Sequence, residues 1–330
     1  MAVRNLITDV AGLQVGNAED GKLASGVTAI VFDEAAVASA DVRGGAPGTR
    51  DIDLLQPEET VERIDAVVLS GGSAFGLDAP SGVQAWLREQ GRGFAIGDIR
   101  VPIVPGAILF DLINGGDKDW GRFPPYRDLG YAAAANAGRD FKLGTAGAGY
   151  GATTVNLKGG LGSASAQTRD GVTVGAIVAV NAVGSVTVGS SAHFWAARFE
   201  QNGESGGRGL PSPLPPDALS IRFKGGVRQN TTIALVATDA VLTKAQAKRL
   251  AVVAHDGLAR AIYPVHTPLD GDIVFAASTG KHDLADPIYA FAELGALAAN
   301  VLARAVARAV YEATALPCPG ALPSWRDRFG

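Results

Sequence analysis

Short, nearly continuous apolar runs alternate along the chain with longer stretches of helical periodicity. Val27–Phe32, Ile64–Leu69, Ile233–Val236 and Ile273–Ala277 are rich in β-branched and apolar residues and bounded by turn formers, the signature of buried strands. Ile7–Val15 reads as a further strand, followed by a turn over Gly16–Gly21. Ser70-Gly71-Gly72-Ser73 turns the chain from a strand into a helix over Ala74–Glu89, with Leu77, Val83, Trp86 and Leu87 on one face and Gly91 beyond its end. Pro102 and Pro105 exclude a central strand from the start of the apolar run Val101–Leu112 and leave Ala107–Leu112 usable. Tyr131–Ala137 reads as helical, and Gly171–Val188 as two strands joined near Asn181–Gly184. A capping box at Thr243–Gln246 opens a helix to about Ala261, and Ile288–Thr314 is a long alanine-rich helix. Two irregular glycine-rich segments, Asp41–Arg50 and Gly144–Gly151, interrupt the pattern, and Glu200–Ser220, rich in Gly, Pro and Ser, reads as a linker or mobile loop.

Composition narrows the class. Of 330 residues 47% are hydrophobic and 19% charged, with a formal net charge of −4, so the chain has ample apolar surface to bury and nothing that marks a nucleic-acid binder. The 43 glycines lie between apolar runs and point to tight turns rather than disorder. Cys318 is the single cysteine, which excludes an internal disulfide and suggests a reducing compartment. Met1–Asn5 leads into an apolar segment too short for a signal peptide, and Glu293, Arg304 and Arg308 interrupt the alanine-rich helix, which reads as a core helix rather than a membrane span. The expectation is a cytoplasmic protein with no membrane partner.

Candidate chemistry centres on Gln229–Asp239, where a probable loop meets a buried strand at Thr231. A threonine hydroxyl is a weak nucleophile. Cutting the Asn230–Thr231 bond would give Thr231 a free α-amine, of unperturbed pKa ~7.7–8.0, beside its own hydroxyl to serve as base. The plainer reading is that Asn-Thr-Thr simply begins a strand. Asp270 and Asp272, alternating in Asp270-Gly271-Asp272, can hold and orient an ammonium nearby. Other motifs are weaker. Gly71-Gly72-Ser73-Ala74-Phe75-Gly76 approaches a nucleophile elbow but has Phe75 where a second glycine is needed, so Ser73 is better read as a helix cap that could border a site. Gly147-Ala148-Gly149-Tyr150-Gly151-Ala152 with Asp170 fits a loose dinucleotide fingerprint in poor context. His193, His255, His266 and His282 lack metal-ligand spacing, and neither a catalytic metal nor a cofactor is expected.

Taken together, Val68–Leu77, Val101–Pro105, Gly147–Gly149, Asn230–Ile233 and His266–Asp272 resemble the β-aminopeptidase and L-aminopeptidase/D-esterase family, especially its threonine-nucleophile branch with the nylon-oligomer (6-aminohexanoate oligomer) hydrolases. The resemblance spans nearly the whole chain. It implies an α+β, four-layer αββα sandwich of N-terminal-nucleophile type over residues 1–330, and self-cleavage at Asn230/Thr231 into an α chain (1–230) and a β chain (231–330). A small peptide or amide substrate and a tetramer of such αβ pairs are also implied. On the resemblance Thr231 is the nucleophile, Asn181 an oxyanion group, and Asp270 and Asp272 the acidic pair. The family's lysine falls on Asn156 by position, with Lys158 nearest. Phe110 stands where nylon-oligomer hydrolases have a tyrosine, and Ser73, Phe110 and Tyr150 are candidates for the substrate pocket. Alternatives are an acyltransferase of the ornithine-acetyltransferase type, an uncleaved binding protein, and a nucleotide-dependent enzyme using the Gly147 loop.

Overall fold

The apolar runs become inner strands because they carry side chains that can be buried on both faces of a sheet. The computed structural model describes residues 3–224 and 230–330. Met1 and Ala2, and Gln229 at the head of the Gln229–Asp239 stretch, lie outside the described residues. In chain order the elements are Leu13–Asp20 (β1), Ser25–Val42 (β2), Thr49–Arg50 (β3), Arg63–Ser70 (β4), Ala79–Glu89 (α1), Phe94–Ile96 (β5), Ile99–Val101 (β6), Gly106–Ile108 (β7), Tyr126–Ala135 (α2), Gly160–Gln167 (β8), Thr173–Asn181 (β9), Thr231–Ala240 (β10), Lys244–Ala261 (α3), Ile273–His282 (β11), Tyr289–Tyr311 (α4) and Trp325–Phe329 (α5).

Strand β2 joins two sheet layers. Its first half pairs with β1 and β4, its pairing with β4 shifts register between Val31 and Ala36, and its last residues pair with β11. The hydrogen-bond path therefore runs β3-β7-β4-β2-β11-β10-β9-β8, with β1 against the first half of β2. Strand alternation decides what each layer buries. Val67 and Leu69 of β4, Ile177 and Ala179 of β9, Ile233, Leu235 and Ala237 of β10 and Phe275 of β11 fill the core between the sheets. On the opposite faces, Ala66 and Val68 pack with α1 and α2, while Val178, Val180, Ala234, Val236 and Val274 pack with α3 and α4. The result is four layers, αββα, as the resemblance implies. Helix α4 is long and apolar enough to cross a membrane, with mean hydropathy 1.4, but 61% of that window is buried against the sheet and α3.

Several local expectations change. Ile7–Val15 is not one strand: Ile7–Asp9 forms a 3-10 turn, and β1 runs through the expected turn to Asp20 because Ser25–Phe32 pairs with it residue for residue. The helix expected from Ala74 begins as a 3-10 segment, Ser73–Asp78; its N-cap is Gly72 rather than Ser73, and no side chain caps it. The helix expected at Tyr131–Ala137 is α2, starting at Tyr126, and of Ala107–Leu112 only the head of the run is strand, in β7. Gly171–Val188 contributes one strand, β9, whose hairpin partner is β8 instead. β8 escapes sequence pattern because its Gly-Leu-Gly-Ser-Ala-Ser-Ala run was selected for size: a Cβ on Gly162 would stand 1.9 Å from the Ala305 carbonyl of α4. Glu200–Ser220 is anchored at its start, where Glu204 makes two bonds to Arg304 (2.5 and 2.9 Å) and Glu200 accepts from the Ser205 and Gly207 amides. The capping box at Thr243 forms as expected.

Candidate active site

Thr231 opens β10, buried, directly across from Asn181 at the end of β9. Its Oγ1 lies 2.5 Å from the carbonyl oxygen of Asn230, the residue before it. That same oxygen accepts the Gly271 amide N–H at 2.9 Å, while the Asn230 amide donates to Leu269 O at 3.1 Å. Asn230 and Asp270 thus form a parallel bridge that extends the β10–β11 pairing back past the strand ends. Gly271 has to be glycine here: a Cβ would stand 2.8 Å from Thr231 Oγ1 and 2.6 Å from Ala46 O. The glycine-rich loop after β2 supplies this lid of backbone, its Arg43 and Ala46 amides donating to Asp272 O and Asp270 O. Chemically, the arrangement puts a hydroxyl and a backbone N–H on one peptide carbonyl, and the N–H polarises the carbonyl for attack.

The two aspartates hold different partners. Asp270 accepts from the Val183 amide (3.2 Å) and from the Thr267 amide and hydroxyl (3.2 and 2.8 Å). Burial, with Asp272 beside it, raises its carboxyl pKa. Asp272 accepts the Thr232 amide (2.8 Å) and both the amide and Nδ1 of His266 (3.0 and 2.9 Å). His266 packs edge-on against His255, whose pKa burial lowers to about 4, so it is neutral near pH 7. Asp272 therefore fixes the first strand residue after Thr231.

Asn181 is wholly buried. Its Oδ1 accepts from the Thr153 amide and from Lys224 Nζ, both at 3.0 Å, and its Nδ2 donates to Phe110 O at 3.0 Å. These partners open onto a cavity of 480 Å³ that Phe110, Asp111, Thr153, Lys158 and Lys224 line together with the C-terminal loop around Leu316 and Pro319. Lys158 is buried with Nζ donating to the carbonyls of Gly149, Ala152 and Gly159 at 2.8–2.9 Å. Burial lowers its pKa to about 7, against the pull of Asp111. Lys224 is lowered to about 7 for the same reason, with Asp111 and Asp270 pulling upward. Asp111 is itself buried, bonded to Ser25 Oγ (2.7 Å) and the Gly72 amide (2.8 Å), and burial raises its pKa.

The structure thus brings Thr231, Asn230, Asn181, Asp270 and Asp272 to one place, with Lys158 and Phe110 on the adjoining cavity. Of the two candidates for the family's lysine, Lys158 lines the cavity and Asn156 does not. Neither Ser73 nor Tyr150 lines it, and the Gly147 loop is packed scaffolding. The Gly147 amide donates to the Glu19 carboxylate and the Ala148 amide to Thr28 Oγ1, both at 3.0 Å, and the loop leads into β8, so it lacks the helix dipole of a phosphate-binding turn. Three participants were missed. Asp111 is signalled only as an acid ending an apolar run; Lys224 sits in an uninformative Gly-containing segment, and the Gly271 N–H belongs to the backbone.

Comparison with known proteins gives the family and the fold. The profile of peptidase family S58 matches residues 5–321. An uncharacterized aminopeptidase of Mycobacterium tuberculosis is 43% identical over 346 residues, 98% of each chain, and a 6-aminohexanoate-oligomer endohydrolase of Kocuria sp. is 28% identical over 284 residues, 84% of this chain and 75% of that one. Among solved structures, a Burkholderia sp. β-aminopeptidase superposes with TM-score 0.72 at 22% identity, covering 99% of this chain and 92% of that one. The L-aminopeptidase/D-Ala-esterase/amidase of Ochrobactrum anthropi, described as a variant of the N-terminal-nucleophile hydrolase fold, gives 0.71 at 22% over 98% and 91%. At such identities the structural likeness establishes the fold.

Proposed function

The chain belongs to peptidase family S58, a family of amide-bond hydrolases, and from that premise we propose that it cuts itself at Asn230/Thr231 and then works as an N-terminal threonine amide hydrolase. The observation that carries the reading is the Thr231 hydroxyl 2.5 Å from the preceding carbonyl oxygen, with the Gly271 N–H on that same oxygen. In the first step Oγ1 adds to the Asn230 carbonyl carbon, and the developing oxyanion is held by the Gly271 N–H. The C–N bond then breaks, Thr231 nitrogen takes the proton, and Asn230 is left as an ester on Oγ1. Water hydrolyses the ester, freeing the Asn230 carboxylate and returning the Thr231 hydroxyl beside the α-amine already released by the shift.

The mature site repeats the addition on a substrate amide. The α-amine takes the hydroxyl proton and passes it to the leaving amine, and water releases the acyl group. One oxyanion donor of this kind contributes about 2.7–4 kcal/mol. Asp272 holds the backbone of Thr232 and so the direction of the nucleophile. Lys158 ties the loop carrying Thr153 to β8 through its three carbonyl bonds, and Thr153 in turn fixes the Asn181 amide. The substrates fitting this site are short peptides, amino-acid amides and ω-amino-acid oligomers such as those of 6-aminohexanoate. The test is release of nitroaniline from α-, β- and 6-aminoacyl nitroanilides. The wild type is expected to hydrolyse at least one and Thr231→Ala none; activity surviving in Thr231→Ala overturns the reading.

A further inference from the structure

Asp272 reaches the nucleophile's strand through one carboxylate oxygen and is itself held through the other. Its Oδ1 takes the Thr232 amide at 2.8 Å, between the Asn230/Asp270 bridge and the first β10–β11 pair, Ile233/Ile273, so a side chain carries the contact there. Its Oδ2 accepts the His266 amide at 3.0 Å and the His266 ring Nδ1 at 2.9 Å. We propose that His266 is a positioning residue of the hydrolase: its Nδ1–H locks the Asp272 carboxylate, and the locked carboxylate keeps Thr231 aimed once the chain is cut. The inference rests on the hydrolase reading above and adds to it a residue that acts through Asp272.

Three observations carry it. The first is that the ring is set for this one bond. A carboxylate only accepts, so Nδ1 carries the hydrogen. His255 packs edge-on against the ring, 4.8 Å between centroids, and is itself buried with Nε2 2.9 Å from Asp41 O. The second is the backbone. His266 sits at φ +56°, a left-handed conformation that strains a bulky residue and that glycine or asparagine adopts more readily. The turn it opens is closed without the ring: the Thr267 amide and hydroxyl bind Asp270, while the Asp270 and Gly45 amides donate to Thr267 O at 3.0 and 3.3 Å. A strained imidazole, kept where the turn asks only for a left-handed residue, points to the bond the imidazole makes. The third is what the cut changes. In the uncut chain Asn230 is tied through its amide to Leu269 O and through its carbonyl to the Gly271 N–H, and the peptide bond passes that order on to Thr231. Cleavage removes this tie. Thr231 is then placed by its pairing with Asn181 on β9 and by the next residue's amide on Asp272. His266 therefore matters more for substrate hydrolysis than for self-cleavage.

The test follows His266→Phe, His266→Gly and His266→Asn through self-cleavage, read by intact mass over time, and through hydrolysis of the nitroanilide that the wild type cuts. Phenylalanine keeps a ring without the donor, and glycine relieves the backbone without the donor. Asparagine offers a side-chain N–H in the place of Nδ1 on a backbone it tolerates. The Phe and Gly variants are expected to cut themselves within about threefold of the wild-type rate, yet to show kcat about 10- to 100-fold lower with KM within about twofold, the mark of a misaimed nucleophile. The Asn variant is expected to recover kcat to within about threefold of the wild type. Wild-type kcat in the Phe and Gly variants, an Asn variant as slow as they are, or self-cleavage slowed as much as kcat overturns the proposal. If the Phe variant does not fold, the Gly and Asn pair decides by the same criteria. A wild type that neither cuts itself nor hydrolyses any nitroanilide sinks the hydrolase reading, whereas an active wild type with kcat independent of His266 sinks only the positioning role.

Discussion

Two buried hydroxyls, Ser70 and Thr231, each stand beside a glycine turn at a strand end, and they face opposite carbonyls. Ser70 Oγ donates at 3.0 Å to Gly71 O, the carbonyl that follows it. Thr231 Oγ1 faces Asn230 O, the carbonyl that precedes it, which the Gly271 N–H also grips. An N-to-O acyl shift needs the preceding carbonyl, because only that one is bonded to the residue's own nitrogen. The Gly71-Gly72-Ser73 turn does other work: the Gly72 amide cradles Asp111, and the Ser73 amide donates to Leu109 O. A hydroxyl on a glycine turn therefore says little until the carbonyl it faces and the donor opposite are known.

The largest expected effect separates the two turns outright. Thr231→Ala should abolish self-cleavage and lower nitroanilide hydrolysis at least about 10³-fold, while Ser70→Ala and Ser73→Ala keep both within about twofold. Gly271→Ala attacks the donor side: its methyl meets Thr231 Oγ1 and Ala46 O, and a displacement of that kind should slow cleavage about 10²-fold, read from the time course of chain appearance. Lys158→Met takes a donor from three buried carbonyls; Ala152 O and Gly149 O keep the Gly159 and Ala152 amides, and Gly159 O loses the lysine as its donor. A loss of about 1–3 kcal/mol in urea denaturation and about a tenfold fall in hydrolysis are expected.

The smallest effect concerns pH. Burial beside Asp272 raises the Asp270 pKa from 3.8 to about 6. Between those values the folded protein binds more protons than the unfolded chain, so this group's contribution to stability falls as pH rises through that window. Uncut Thr231→Ala/Asp270→Asn should lack that decline in urea midpoint relative to Thr231→Ala. An unchanged decline assigns it to other groups.

What could be read in advance was whatever side chains advertise. The β10 and β11 runs, the Thr243 capping box and the alternating aspartates all carry their identity in residue type, and they appear where the pattern put them. β8 was illegible because close packing against α4 demands Gly, Ser and Ala, which have no strand signature. The ending of β1 was misread because Asn17–Asp20 has turn composition, and pairing with β2 overrode it. In the site, the Gly271 N–H has no side chain to announce it. Lys224 and Asp111 are ordinary charged residues whose importance comes from a cavity assembled by distant segments.

The most direct test of the account is the intact mass of purified wild-type protein beside Thr231→Ala, with the amino-terminal sequence of any fragment. The account predicts two chains of about 23 and about 10 kDa, apportioned by length from 33.7 kDa, the smaller beginning Thr-Thr-Ile-Ala, and a variant that stays whole. A wild type that remains one 33.7 kDa chain after prolonged incubation, or a variant cut at the same bond, contradicts it.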